Sequence, residues 1–295
     1  MPPSATKPDL VPKLVLGTAQ FGMNYGVANR GGQVTVEEAS KIIEAGQRIG
    51  IDTLDTAEAY GNSEEIIGQC FSNLRHKNLR VITKVSDRCV DIDERIRQCY
   101  RRTSVRPKAL LAHSAALFSD TSFQLALGRF RDRDLGIKIG VSLYNEREIN
   151  QVLRAKFRPE IVQVPLNILD SRLYHSGILG EIKGRRIEVH ARSIFLQGLF
   201  YLPLKDVSVQ LPAAVPYLAH LSELAGQDGL TVSEMSLLWV ASLEEVDRIL
   251  IGVDNCAQLF SHLTTLGKDV NPETLNRALS LKCEQESVLN PSLWK

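Results

Sequence analysis

Eight short apolar runs, each followed by a helix-length segment, limit the folds open to this chain more than any other feature. The runs are Lys13–Gly17, Thr53–Asp55, Val81–Lys84, Ala109–Ala112, Ile137–Ser142, Ile161–Pro165, Ile187–Ala191 and Arg248–Ile251. The segments between them carry helix signals. A Thr35-x-x-Glu38 capping-box pattern opens a helix running to about Ile49, just before Gly50. Further helices are predicted over Asn62–Cys70, Ile92–Ser104, Phe123–Asp132, Glu146–Ala155, Gly177–Gly184 and Tyr217–Gly226. A second capping box, Thr231-x-x-Glu234, opens a helix to Leu243, and the chain closes on the patterns Ala257–Leu266 and Pro272–Leu289. Strand–helix alternation builds a parallel sheet, because each helix carries the chain back to start the next strand. Eight such units without a linker or low-complexity break predict an α/β chain folded as a single-domain (β/α)8 TIM barrel. It would span 13–295 with a C-terminal helical extension, after an N-terminal tail of residues 1–12. The length of 295 residues suits that architecture.

An apolar content of 44% is enough for a large core without disulfides or a metal. The formal charge of +1 gives no long-range field for nucleic acid or an anionic membrane, so neither is expected as a partner. The basic cluster Arg95, Arg97, Arg101 and Arg102 reads as the solvated face of a helix. The five cysteines (Cys70, Cys89, Cys99, Cys256 and Cys283) are scattered and odd in number, which fits free thiols in a reducing compartment. Residues 1–12 have no apolar stretch of the signal-peptide kind, and no apolar run is long enough to span a membrane. A cytoplasmic protein is the expectation. The six histidines show no HExxH or paired His/Cys spacing, so no metal site is expected.

In (β/α)8 barrels the active site lies at the C-terminal ends of the strands. Here those ends carry Asp55 after the second strand, Lys84 after the third and His113 after the fourth, with Tyr60 five residues beyond Asp55. Adjacent strands lie about 4.8 Å apart, so these side chains can meet around one point. Their chemistry is coherent. A free tyrosine loses its proton only near pH 10, and a neighbouring ammonium eases that loss. A carboxylate holds the ammonium charged and aimed, and a histidine can hydrogen-bond a carbonyl oxygen. The set is a proton relay for carbonyl reduction or alcohol oxidation. It has no hydride carrier of its own, which calls for a nicotinamide. A Schiff-base role for Lys84 is disfavoured, since Asp55 would keep it charged.

These residues sit in segments that resemble the aldo/keto reductase family. Leu16-Gly-Thr-Ala-Gln-Phe-Gly22 and the pattern D-T-A-x-x-Y-G-x-S-E over Asp55–Glu64 carry the resemblance. Ile82-Thr-Lys84, Leu111-Ala-His113, Ile139-Gly-Val-Ser142, Gln163-x-x-x-Asn167 and Leu196-Gln-Gly-Leu199 follow in order, so that it covers roughly 13–265. The resemblance implies Asp55, Tyr60, Lys84 and His113 as the catalytic set, with Tyr60 as general acid/base. It implies NADP or NAD laid over the barrel mouth, without a Rossmann fold. Ser142, Gln163 and Asn167 would hold the nicotinamide carboxamide, and the segment from Gln197, with Ser193 before it, would cover the pyrophosphate.

Two departures bear on the cofactor. Where the family usually has an aromatic to stack on the nicotinamide, this chain has Arg192, which could stack, grip an anionic substrate or meet the pyrophosphate. Where the family has basic residues for a 2′-phosphate, this chain has Gly252, Asp254 and Gln258, so the choice between NADP and NAD stays open. Asn24, Tyr25 and Arg192 suggest a polar substrate, anionic or sugar-like. The alternative to an oxidoreductase is a non-catalytic nucleotide-binding sensor or partner subunit of the same fold. The irregular stretch Gln197–Pro216 follows the seventh strand and is long for such a connection, as functional lids are.

Overall fold

A computed structural model describes residues 10–73, 78–87, 91–131, 133 and 136–294. The eight expected strands form a closed parallel barrel in sequence order: β1 Leu14–Gly17, β2 Thr53–Asp55, β3 Arg80–Val85, β4 Ala109–Ala112, β5 Lys138–Ser142, β6 Ile161–Pro165, β7 Glu188–Arg192 and β8 Arg248–Gly252. Closure comes from β1 pairing with β8 in the register Leu14↔Ile249 to Gly17↔Gly252. Helices lie between consecutive strands, so the sheet is covered outside and filled inside. Among the described residues no helix is long and apolar enough to cross a membrane.

The two-residue period of a strand explains why the barrel is solid beneath its mouth. Ile82 lies on the same face as Lys84, Ala109 and Leu111 on that of His113, and Ile161 on that of Gln163. Ile82, Ala109, Leu111 and Ile161 form a buried cluster of their own, which plugs the interior under the polar residues. Gly140 leaves room for that plug, since a Cβ there would stand 2.7 Å from the Ile161 carbonyl and 2.9 Å from Leu111 Cγ. The opposite strand faces pack with the helices in the large outer core.

Several helix ends match their sequence signals. Thr231 and Glu234 form a complete capping box ahead of Val232–Ser242. Thr35 caps Val36–Arg48 by accepting from the Glu38 amide, but Glu38 does not return the bond. Its carboxylate instead accepts from the Cys256 amide across the β8 loop, so a local cap signal serves a long-range contact. The expected final helix Pro272–Leu289 is broken into Pro272–Leu279 and Glu286–Leu289. The break lets Cys283, Val288 and Leu289 be buried together, and Glu286 meets Arg172 across the turn. The stretch Gln197–Pro216 is not irregular throughout: it holds a helix at Leu204–Gln210 between 3-10 turns at Leu196–Tyr201 and Pro212–Ala214. Val11, assigned to the tail by sequence, is buried against the core. Cys70, Cys99, Cys256 and Cys283 are free thiols, while Cys89 lies outside the described residues. The basic helix face is paired with acids, Arg97 and Arg101 on Glu94 and Arg102 on Glu64.

Candidate active site

The segment Asp55–Glu64 builds the site, and each fixed residue of its pattern has a physical task. Thr56 donates to the Ser63 hydroxyl, which in turn donates to Thr18, all three buried, and this chain ties the loop after β2 to the end of β1. Glu64 is buried, accepting from Thr83 at 2.6 Å and from Arg102 at 2.8 Å, which anchors the following helix to β3 and to its neighbour Ile92–Thr103. Gly61 has φ +54°, and a Cβ on it would stand 2.1 Å from the Gly22 carbonyl. A Cβ on Gly22 would stand 1.7 Å from the Tyr60 carbonyl. Two glycines therefore let the loops after β1 and β2 touch backbone to backbone, and that contact fixes where Tyr60 stands.

Four polar side chains converge above the apolar plug. Lys84 is fully buried, ion-pairs with Asp55 and donates to the Thr56 carbonyl at 3.0 Å. Burial is the largest influence on its pKa and lowers it, but Asp55 and Tyr60 together outweigh burial and leave the pKa raised, so it is an ammonium. That charge removes the Schiff-base reading. The second Asp55 oxygen accepts from Gln163 Nε2 at 2.9 Å, so β2, β3 and β6 together orient the carboxylate. Lys84 Nζ lies 3.5 Å from the Tyr60 hydroxyl and 4.9 Å from its ring centre. His113 stands edge-on to Tyr60 at 5.9 Å, with Nδ1 facing the Ser86 hydroxyl at 3.0 Å. Burial first, then the charges of Lys84 and Arg192, push the His113 pKa down to about 4, so its ring is neutral at pH 7.

Over this group opens a cavity of about 700 Å³. Asp55, Tyr60, His113, Ser142, Gln163, Arg192, Ser193, Gln197, Gly252, Asp254, Gln258 and Tyr25 all line it. Three expected site residues stand elsewhere. Lys84 lies beneath the cavity floor and reaches it only through Tyr60 and Asp55. Asn24 is exposed and off the wall. Asn167 is buried behind it, where its oxygen accepts from the Leu169 and Asp170 amides and its nitrogen donates to the Ser193 carbonyl. Both ends of that amide take part in shaping the loop after β6, so Asn167 stands behind the cavity wall rather than on it.

Along the wall several polar atoms have no partner. Gln163 Oε1 and Asp254 Oδ1 are buried without a hydrogen bond. Unpaired buried acceptors are costly, and a ligand's donors would satisfy them. Asp254 is clamped by Gln258, whose amide nitrogen donates to its carboxylate at 3.1 Å while the amide oxygen accepts from its backbone at 2.8 Å. The loop after β7 is strained where it overhangs: Ser193, Leu196 and Gln197 all have left-handed φ, at +57°, +46° and +51°. It is braced by the Val27 amide donating to the Gln197 carbonyl at 2.9 Å and by the pair Arg30–Asp206 at 3.3 Å. The loops after β1 and β7 thus meet across the cavity.

Sequence reasoning missed Gln20, Tyr144 and Phe195. A Cβ on Gly252 would stand 2.4 Å from the Gln20 amide, so Gln20 lies flat across the end of β8. The Arg192 guanidinium carbon sits 4.3 Å from the Tyr144 ring centre. Phe195 stacks on His262 at 4.7 Å. Only Gln20 had a signal, since it lies inside the Leu16–Gly22 stretch.

Comparison with known proteins agrees with the barrel fold. The model of the aldo/keto reductase family matches residues 13–110. No curated protein matches the chain. Among solved structures, a thermostable aldo-keto reductase in complex with the inhibitor epalrestat superposes with a TM-score of 0.68 at 22% identity, over 92% of this chain and 95% of its own. An aldo/keto reductase from Klebsiella pneumoniae in complex with NADP and acetate gives 0.70 at 18% identity, over 94% of each chain. Another from Klebsiella pneumoniae, in complex with NADPH, gives 0.69 at 17% identity, over 94% of each chain. The family match ends within β4, before His113 and before strands β5 to β8, and beyond it the resemblance rests on short motifs alone. The chain thus carries the aldo/keto reductase family's sequence pattern over residues 13–110 and folds as the barrel seen in solved aldo-keto reductases.

Proposed function

We propose that the chain is an NAD(P)-dependent aldo/keto reductase that interconverts a carbonyl and an alcohol, with Tyr60 as the general acid/base. The observation that carries this reading is the buried Lys84 ammonium, held by Asp55 and standing 3.5 Å from a tyrosine hydroxyl that lines the cavity. In the reductive direction Tyr60 gives its proton to the carbonyl oxygen, and Lys84 stabilises the phenolate left behind. Asp55 keeps Lys84 charged and aimed, and Gln163 holds the carboxylate from across the barrel. His113, neutral and backed by Ser86, hydrogen-bonds the same carbonyl oxygen and orients it toward Tyr60.

The wall chemistry fits a nicotinamide dinucleotide. Gln163 Oε1, buried and without a partner, suits a carboxamide N–H, with Ser142 on the adjacent strand end. A reduced nicotinamide bound there supplies the hydride that the side chains lack. Gln197 and Ser193 would cover the pyrophosphate, and Gly252 with Gln20 would flank it. Asp254 Oδ1, buried without a partner and clamped by Gln258, suits a ribose hydroxyl and repels a 2′-phosphate. We therefore read NAD as the preferred form. The structural neighbours solved with NADP or NADPH support nicotinamide use in this fold rather than a choice between the two.

A binding-only sensor role would leave the buried Lys84–Asp55 pair unexplained, since a buried ion pair is not a stabilising device in itself. Titration with NADH and NADPH, followed by reduced-nicotinamide fluorescence, tests the reading. Binding below millimolar concentration together with carbonyl turnover supports it. Failure of both nucleotides to bind overturns it.

A further inference from the structure

Arg192 ends β7 and lines the cavity, and its guanidinium is held but not neutralised. Tyr144 packs on it at 4.3 Å, Nη1 donates to Ser193 Oγ at 3.1 Å and Nη2 donates to the Leu143 carbonyl at 3.3 Å. Nε is buried without any acceptor. Among the described residues no carboxylate pairs with it, whereas the helical arginines Arg102 and Arg172 bind Glu64 and Asp170. Of the carboxylates at the mouth, Asp55 is paired with Lys84 and Asp206 with Arg30, while Asp254 is clamped by the neutral amide of Gln258. The neighbouring phenol Tyr25 supplies no negative charge, because burial first and then Tyr60 push its pKa up to about 12.

A half-buried guanidinium fixed by a ring and two hydrogen bonds is a preformed receptor for a planar anion. Its field reaches His113 and Tyr25, which places the unbalanced charge in the chamber where the carbonyl must bind. We propose that Arg192 selects carbonyl substrates bearing a carboxylate, whose charge it neutralises while Tyr60 and His113 address the carbonyl. Among the described residues lining the cavity, Arg192 is the cation without a carboxylate partner, which matches a monoanion: His113 is neutral there, and a phosphate dianion would ask for a second positive group.

The kinetic side of this inference rests on the carbonyl-reduction reading; the binding side does not. The substitutions are Arg192→Met, which keeps the stem and removes the charge, and Arg192→Gln as a second neutral variant. Phenylglyoxylate and its methyl ester serve as a matched pair, glyceraldehyde 3-phosphate as the phosphate probe, and benzoate as an unreactive carboxylate measured by calorimetry. The wild-type chain should favour the acid over the ester in kcat/KM, and the neutral variants should lower that ratio by roughly 100-fold. Benzoate affinity should fall with it, while the Kd for NADH changes little. An unchanged acid-to-ester ratio, a preference for the phosphate, or a loss confined to NADH binding each overturns the assignment; the last would hand Arg192 to the nucleotide. Absence of turnover on every carbonyl, with benzoate binding still lost in Arg192→Met, would sink the reductase reading and leave the carboxylate site standing.

Discussion

Replacing Lys84 by Met removes one charge from a pair whose side chains are 0% and 2% exposed, which makes it the sharpest single perturbation of this barrel. Methionine has nearly the length of lysine, so little volume is lost. What is lost is the ammonium that satisfies Asp55 and its 3.0 Å bond to the Thr56 carbonyl. Asp55 is left buried and charged, with Gln163 Nε2 as its remaining side-chain donor. Breaking a buried pair from one side costs about 3–5 kcal/mol. In a chain of this size that lowers the melting temperature by on the order of 10 °C. Asp55→Asn should cost a similar amount, because it leaves Lys84 buried without a counterion. The double variant should be less damaged than the sum of the two, with a coupling of at least about 2 kcal/mol, since neither charge is then stranded. Urea unfolding of the wild type, both single variants and the double variant measures the cycle. Additive losses, or a Lys84→Met cost below about 1 kcal/mol, would show that the pair is not the buried, charged unit described here.

Other perturbations have equally definite outcomes. Gly22→Ala drives a Cβ to within 1.7 Å of the Tyr60 carbonyl, so it should displace Tyr60 and cut kcat while a thermal melt shows a cooperative fold. Asp254→Asn should narrow the gap between NADH and NADPH affinity in fluorescence titrations by roughly tenfold, and an unchanged ratio would remove Asp254 from ribose recognition. His113 and His262 are both pushed by burial to a pKa of about 4, so the unfolded chain takes up their protons near pH 6.5 while the folded chain resists. The stability these two histidines contribute should therefore fall as pH drops from 6.5 to 4, and their share of the loss should be complete below that. His262→Phe, which preserves the stack on Phe195, should abolish up to about 3 kcal/mol of that acid sensitivity in denaturant midpoints at pH 7.5 and 4.5.

Much of this could be read from the chain before folding, and the reasons differ by element. The strands were legible because each is a short buried run bounded by polar or glycine residues: β2, β4 and β6 begin and end where the sequence places them. The Asp55–Glu64 pattern was legible because it is local, with ten residues specifying a carboxylate, a tyrosine and the anchors that hold them. The helix Leu204–Gln210 was hidden by the prolines around it, which punctuate the segment without forbidding one short helix between them. The break after Leu279 was hidden because a helical period continues through Ser280–Gln285, and only the outer core decides where Cys283 goes. The place of Asn167 behind the cavity wall was hidden for a related reason. A polar residue at a strand end satisfies loop backbone as readily as a ligand, and sequence spacing does not separate the two. Gln20, Tyr144 and Gln258 act through partners 232, 48 and 4 residues away, of which only the last is local.

The central claim is that Tyr60 moves the proton in a nicotinamide-linked carbonyl reaction. Tyr60→Phe removes one oxygen and leaves the ring against His113, so the cavity keeps its shape. Nicotinamide fluorescence titration and single-turnover reduction of a carbonyl panel should be run on this variant beside the wild type. NADH should bind both proteins with similar Kd, and the hydride-transfer step should slow by about 10²–10⁴-fold in the variant. Undiminished turnover in Tyr60→Phe, with the nucleotide still bound, would contradict the account.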